Sequence, residues 1–106
     1  MKNITVEELK TRMDAGEKLN IIDVREPHEY AEFNIGAPLI PLGRIQGMQI
    51  DEIEELREEE LIIYCRSGNR SGQACLFLDT MGFKNTKNLV GGMLDWQAKY
   101  GNAKQG

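Results

Sequence analysis

Apolar residues follow two patterns along this chain, one typical of buried strands and one typical of amphipathic helices. Residues 19–24 and 61–65 are short, mostly apolar runs rich in β-branched side chains, which predicts two buried strands. Residues 86–90 give a weaker signal for a third strand. Helical spacing recurs in three other places, namely at Val6, Leu9 and Met13, at Ala74, Phe77, Leu78 and Met81, and at Met93, Trp96 and Tyr100. Strands that alternate with helices predict an α/β fold with a parallel sheet.

Local signals define the start of the first helix and the shorter elements. Thr5 followed by Glu8 is a capping-box pair, which predicts that the first helix begins there. Pro27 lies near the start of a polar stretch and predicts a short helix or turn. Residues 35–42 contain two prolines and predict an irregular extended segment with a short edge strand. Residues 50–56 combine helical spacing with many acidic residues, which predicts a short helix with a solvated outer face.

Composition and charge then limit the classes of protein. The 106 residues are 41% hydrophobic and 28% charged, which is enough for one domain with a core. The net charge of −4 argues against general nucleic-acid binding. The start has no signal-peptide core, and no run approaches the ~18 apolar residues of a membrane span. We therefore expect a single cytoplasmic domain over residues 1–106, with residues 101–106 as a frayed tail.

The segment most informative about chemistry follows the second predicted strand. Cys65 stands where that strand ends, and residues 66–69 form a loop that leads directly into a helix. Sites in parallel sheets form at the carboxyl ends of strands. Backbone N–H groups of residues 66–70 and the helix N-terminus would stabilise a thiolate, and Gly68 permits the tight turn. Cys65 is therefore predicted to be a nucleophile. Two small polar side chains of the loop are further candidate donors, Ser67 and Asn69.

Of five other candidate residues, four have two interpretations. Arg70 either binds an anionic donor or packs elsewhere and contributes only its amide, whereas Arg66 is expected to project outward and influence donor choice. Asp23 and Arg25, at the end of the first predicted strand, form either a polar contact near the site entrance or, as we favour, a structural ion pair. Cys75 is expected to be a small core residue, with a resolving cysteine as the alternative.

Three segments resemble the rhodanese-like domain family in the family's order and spacing. They are residues 65–71 (CRSGNRS), residues 23–26 (DVRE) with the pair Glu29-Tyr30, and residues 88–96 (NLVGGMLDW). The resemblance implies a doubly wound α/β domain with a five-stranded parallel sheet and helices on both faces. It implies a sulfurtransferase that forms a persulfide on Cys65, held by the amides of residues 66–70. Thiosulfate or a protein persulfide is the implied donor, and cyanide or a thiol the acceptor. No metal and no organic cofactor is implied.

The chain departs from the family's pattern in one place. Family members often carry a Gly-His-Ile-x-Gly-Ala segment after the Glu-Tyr pair. Here residues 33–37 read FNIGA, so Asn34 stands at the histidine position and one residue is missing. The segment is expected to be structural, so the departure affects the expected local packing more than the expected chemistry.

Two alternative functions use the same cysteine. Cysteine phosphatases place five residues between the cysteine and the arginine, whereas only residues 66–69 separate Cys65 from Arg70. The shorter loop favours a single sulfur atom over a phosphate. The second alternative is a persulfide carrier that acts mainly with partner proteins, such as a sulfur-carrier protein. Residues 51–60 would then be its docking surface. Neither alternative involves a membrane or a nucleic acid.

Overall fold

The computed structural model describes residues 1–102, which form a parallel sheet with helices on both faces. The strands are β1 Lys2–Ile4, β2 Ile21–Asp23, β3 Glu60–Tyr64 and β4 Asn85–Leu89. Their order across the sheet is β1-β4-β3-β2, and all neighbours are parallel. The predicted α/β class with a parallel sheet is confirmed.

The helices connect these strands as the alternating pattern predicts. They are α1 Val6–Asp14, α2 Pro27–Glu32, α3 Leu42–Gln46, a 3₁₀ helix Asp51–Leu56, α4 Asn69–Thr80 and α5 Gly92–Tyr100. α1 begins with the predicted capping box, since the Thr5 side chain accepts from the Glu8 N–H and the Glu8 carboxylate accepts from the Thr5 N–H. Two short elements were not predicted, β1 and α3.

Alternate side chains of β3 point into two separate cores. Leu61 and Ile63 pack with Ala74, Cys75 and Leu78 of α4 on one face of the sheet. The opposite core holds two further β3 side chains and apolar residues of α1 and α5, namely Ile62, Tyr64, Val6, Leu9, Met93 and Trp96. Burial on both faces explains the nearly continuous apolar run of this strand.

The sheet has four strands in the described residues, and a single bridge occupies the place of a fifth. Leu39 forms an isolated parallel bridge with Asp23, next to β2. The Asp23 N–H donates to the Pro38 carbonyl at 2.9 Å, and the Ile40 N–H donates to the Asp23 carbonyl at 2.8 Å. Pro38 has no N–H to extend the pairing on one side, and on the other side the Arg25 N–H donates to the Asp23 carboxylate, so the regular pairing ends after one bridge. This is the extended segment predicted at residues 35–42.

The buried face of α4 differs from the predicted one. The predicted stripe included Phe77, but this side chain is 39% exposed, so the prediction is wrong at this position. The buried residues of α4 are Ser71, Ala74, Cys75 and Leu78. They have the same i, i+3, i+4, i+7 spacing, but the stripe begins one turn earlier, at a polar residue. Hydrophobicity alone does not assign a serine to a core, so the pattern favoured the later register.

Asn34, which departs from the family's pattern, has a structural role. Its amide donates to the Tyr30 carbonyl at 2.9 Å, and its side-chain oxygen accepts from the Gly36 N–H at 2.9 Å. These bonds hold the turn that leads from α2 to the Leu39 bridge. The packing that the sequence left open is therefore supplied by an asparagine in place of a histidine.

Two expectations concern the limits of the chain. Of the predicted frayed tail, Gly101 and Asn102 form a turn after α5, and residues 103–106 lie outside the described residues. Within residues 1–102, no helix combines the length and the apolar character needed to cross a membrane.

Candidate active site at Cys65

Cys65 directly follows β3, at the carboxyl edge of the sheet. The chain then turns at Gly68 and enters α4 at Asn69. Gly68 has φ of +106°, and a Cβ there would lie 3.5 Å from the Gly91 nitrogen. This left-handed turn next to a neighbouring backbone requires glycine. It brings the first turn of α4 back over the Cys65 sulfur.

The Cys65 sulfur is buried and receives hydrogen bonds from the loop and from α4. The Gly68 N–H donates to Sγ at 3.1 Å, and the Ser71 Oγ lies 3.3 Å from Sγ. The Ser71 Oγ also lies 2.5 Å from the Asn88 Oδ1, and the Asn88 amide donates to the Gly68 carbonyl at 3.1 Å. Asn88 thus connects the turn to the serine. A hydroxyl has one proton, so Ser71 donates to one of its two acceptors at a time.

These donors decide the ionisation of Cys65. Burial alone raises the pKa of a thiol, because it disfavours the charged form. The Ser71 hydroxyl and the N–H groups of Ser71, Gly68 and Ser67 outweigh burial and hold the pKa of Cys65 below its usual range. The thiolate is the nucleophilic form of cysteine, so the surroundings favour a reactive sulfur.

The structure separates the predicted site residues into two groups. Gly68 and Ser67 contribute N–H groups to the sulfur, as described above. The side chains of Arg66, on the loop, and of Asn69, the first residue of α4, are exposed. Sequence reasoning missed Ser71 and Asn88 as site residues. Asn88 carried a detectable signal, because asparagine is rare within strands and here lies in a predicted one.

Arg70 does not turn its guanidinium towards the sulfur. It forms a bidentate ion pair with Glu29 of α2. Nη1 donates to Oε1 at 2.6 Å, and Nη2 donates to Oε2 at 2.8 Å. The hydrogen bonds from Arg70 lower the pKa of Glu29 to about 2. Of the two interpretations of Arg70, the geometry favours packing elsewhere, with only the backbone near the site.

Asp23 and Arg25 form a buried ion pair with additional hydrogen bonds. The Arg25 Nη2 lies 2.8 Å from the Asp23 Oδ2 and donates to the Phe33 carbonyl at 2.6 Å. The Arg25 backbone N–H also donates to the Asp23 carboxylate at 2.9 Å. The pair joins the end of β2 to the chain after α2, which agrees with the favoured structural interpretation.

The start of α5 packs against the backbone of the Cys65 loop. The N–H groups of Met93 and Leu94 donate to the carbonyls of Cys65 and Arg66, at 3.0 and 2.9 Å. A Cβ at Gly92 would lie 2.5 Å from the Cys65 carbonyl oxygen, so only glycine allows this approach. The loop is therefore fixed by α5 on one side and by α4 on the other.

A parallel α/β sheet with a cysteine in an N–H-lined loop at a strand end defines a class of domains that present a thiolate nucleophile. The model of the Rhodanese-like domain family matches residues 5–99. The chain belongs to the rhodanese-like domain family, as the three sequence segments indicated.

Relatives and solved structures agree with this assignment. The chain is 41% identical over 97 residues to Putative sulfur carrier protein YrkF of Bacillus subtilis, covering 91% of this chain and 51% of YrkF. It is 40% identical over 101 residues to Putative sulfurtransferase YtwF of the same organism, covering 93% of each. It thus spans about half of YrkF and nearly all of YtwF. A crystal structure of a rhodanese-like domain protein from Staphylococcus aureus matches with a TM-score of 0.80 at 33% identity, covering 91% of both chains.

Proposed function

We propose that this protein is a sulfurtransferase in which Cys65 carries a sulfane sulfur as a persulfide. The observation that carries the proposal is the donor set at Sγ, formed by the Gly68 N–H and the Ser71 hydroxyl at the start of α4. The lowered pKa of Cys65 supplies the thiolate. The similarity to YtwF and YrkF, named as a sulfurtransferase and a sulfur carrier, supports the same chemistry.

The first half-reaction transfers a sulfur atom to Cys65. The Cys65 thiolate attacks the outer sulfur of a donor such as thiosulfate and forms a new S–S bond. The sulfur–sulfur bond of the donor breaks, and sulfite leaves with the electron pair. The negative charge then lies on the outer persulfide sulfur, where the amides of residues 66–70 stabilise it as an oxyanion hole stabilises oxygen.

The second half-reaction transfers the sulfur atom from Cys65 to an acceptor. Cyanide or a thiolate attacks the outer persulfide sulfur, and the Cys65 sulfur leaves as a thiolate. The enzyme returns to its starting state, with thiocyanate or a new persulfide as product. The two steps share one covalent intermediate, so ping-pong kinetics are expected. A thiolate formed in advance needs no general base.

The proposal includes the domain and its compartment. We expect residues 1–106 to act as one domain in the cytoplasm. Both cysteines are unpaired thiols, which suits a reducing environment. The expected substrates are an anionic sulfur donor and a thiol or cyanide acceptor.

A second candidate function is a persulfide carrier that acts mainly with partner proteins. The observation that favours it is the similarity to YrkF, which is named as a sulfur carrier. The predicted docking surface at residues 51–60 exposes six carboxylates in the structure, namely Asp51, Glu52, Glu54, Glu55, Glu58 and Glu59. Slow turnover of small donors with fast transfer to a basic partner protein would distinguish this function from the first.

The test is intact mass spectrometry of the reduced protein after incubation with thiosulfate and then with cyanide. We expect a gain of one sulfur atom that cyanide removes. Cys65→Ser is expected to abolish the gain, and Cys75→Ser is the matched control that keeps it. Sulfur uptake by Cys65→Ser would refute the proposal. Loss of uptake in Cys75→Ser would restore the resolving-cysteine interpretation.

A further inference from the structure

The ion pair with Glu29 neutralises the positive charge of Arg70, a residue of the α4 turn that covers the reactive sulfur. Arg70 occupies the second position of α4, whose first turn covers Cys65. The charge of Cys65 is one of the causes that raise the pKa of Arg70, so the two groups interact electrostatically. Glu29 binds this guanidinium through both carboxylate oxygens. The side chains of the pair are only 17% and 31% exposed, which limits screening by solvent.

Glu29 is itself held in place by its own helix. Its carboxylate accepts from the Glu26 N–H at 3.0 Å, as part of the capping box of α2. The carboxylate is therefore positioned before it meets Arg70. A pre-positioned acceptor holds the guanidinium in one orientation, directed towards α2.

The other charges near the loop replace only part of the positive charge that Glu29 neutralises. Arg25 is bound to Asp23, and within residues 1–102 Arg66 has no carboxylate partner. A cavity of about 280 Å³ beside the loop is lined by Arg25, Glu29, Glu32 and Arg66, among others. Arg25 and Glu29 are already paired with Asp23 and Arg70, so of these four side chains Arg66 is left to attract a dianion and Glu32 to repel it.

We propose that Glu29 is a specificity-determining residue that selects against dianionic sulfur donors and in favour of donors with less charge. The inference rests on the proposed function, because it concerns the first half-reaction at Cys65. Thiosulfate carries two negative charges and approaches a thiolate, so its attack brings three charges together. A donor with one charge less meets less repulsion and depends less on a nearby cation.

Two donors of nearly the same shape isolate this effect. In methanethiosulfonate a methyl group replaces one charged oxygen of thiosulfate, so the donor is a monoanion. The Cys65 thiolate attacks the outer sulfur of either donor, and the donor's sulfur–sulfur bond breaks. Sulfite leaves from thiosulfate and methanesulfinate leaves from methanethiosulfonate, each with the electron pair. The persulfide product is the same.

The experiment measures kcat/KM for both donors, with cyanide as acceptor, in Glu29→Gln. This variant keeps the size and the acceptor oxygen of the side chain but removes its charge. We expect the ratio of thiosulfate to methanethiosulfonate activity to rise about tenfold. Adding Arg70→Gln is expected to return the ratio to its original value. Glu52→Gln is the matched control, because it neutralises the partner of Arg44 in an exposed pair outside the loop.

Equal changes for both donors in Glu29→Gln would show that the pair is only a structural brace and would overturn the inference. Arg66→Gln gives an independent test, because this side chain is exposed and its loss is compatible with folding. We expect it to lower the ratio, and an unchanged ratio would also overturn the inference. If the wild-type protein forms no persulfide with either donor, the proposed function itself fails, which intact mass detects separately.

Discussion

The two cysteines of this protein belong to the same buried cluster, yet their surroundings have opposite effects. Cys65 follows the end of β3, where the N-terminal amides of α4 are not used within the helix. Cys75 lies inside α4, where the backbone amides serve the helix itself. Burial raises the pKa of Cys75 to about 12, and the nearby Thr86 hydroxyl offsets only part of that effect. At Cys65 the loop donors outweigh burial. Burial alone therefore does not decide whether a thiol is reactive.

The largest expected difference is the rate of alkylation of the two thiols in the folded protein. At neutral pH Cys65 has a much larger thiolate fraction than Cys75. The lower intrinsic nucleophilicity of a low-pKa thiolate offsets part of this advantage, so we expect Cys65 to react about a hundredfold faster. Peptide mapping after iodoacetamide treatment measures both rates. In denaturant the two rates should converge, and similar rates in the folded state would contradict the comparison.

The contact between the start of α5 and the Cys65 loop has no counterpart at Cys75. A methyl group added at Gly92 tests the importance of this contact. Gly92→Ala places a Cβ against the carbonyls of Cys65 and Arg66 and also strains a residue with φ of +53°. We expect a loss of about 2 kcal/mol in the free energy of unfolding. Denaturant unfolding measures this value. Gly43→Ala is the control, because a Cβ at that position meets no atom within 4 Å. Equal stability of the two variants would show that the loop is not held by α5.

A smaller effect is expected from the hydroxyl groups beside the two thiols. Ser71→Ala removes a donor from Cys65, so the pKa of this thiol should rise and sulfur uptake at neutral pH should fall about tenfold. Uptake should recover as the pH is raised, which a pH profile of the rate measures. Thr86→Val removes the hydroxyl beside Cys75, which donates to the Asp79 carboxylate at 2.6 Å, and should leave the profile unchanged. A pH profile of Ser71→Ala that matches the wild type would exclude a role for this hydroxyl.

The parts of the fold that sequence predicts are those with a strong local pattern. The apolar run of β3 and the capping box at Thr5 identified their elements without any long-range information. β1 has exposed Lys2 and Asn3 and only one buried residue, so its pattern does not indicate a strand. It forms because it pairs with the edge of β4, which depends on tertiary contacts.

Dependence on tertiary contacts limits the prediction of the candidate site even more than that of the fold. The motif around Cys65 predicted a candidate nucleophile and its turn from a few adjacent residues. It did not determine the orientation of Arg70, because the partner Glu29 lies 41 positions earlier in the chain. Ser71 and Asn88 were not predicted as site residues for the same reason. Ser71 contacts both Asn88 and the Cys65 sulfur, and these contacts exist only once α4 packs against β4.

The strand order has a consequence for the timing of folding during synthesis. Lys2 of β1 pairs with Lys87 of β4, and Ile21 of β2 pairs with Ile62 of β3. β1 is therefore the first of the four strands to leave the ribosome and the last to find its partner. At about 5–20 residues per second, translation delays the pairing of β1 with β4 by several seconds. Pairing between such distant residues also slows folding in free solution. We expect β2, β3 and α4 to assemble first, and β1 to complete the sheet once β4 is in place.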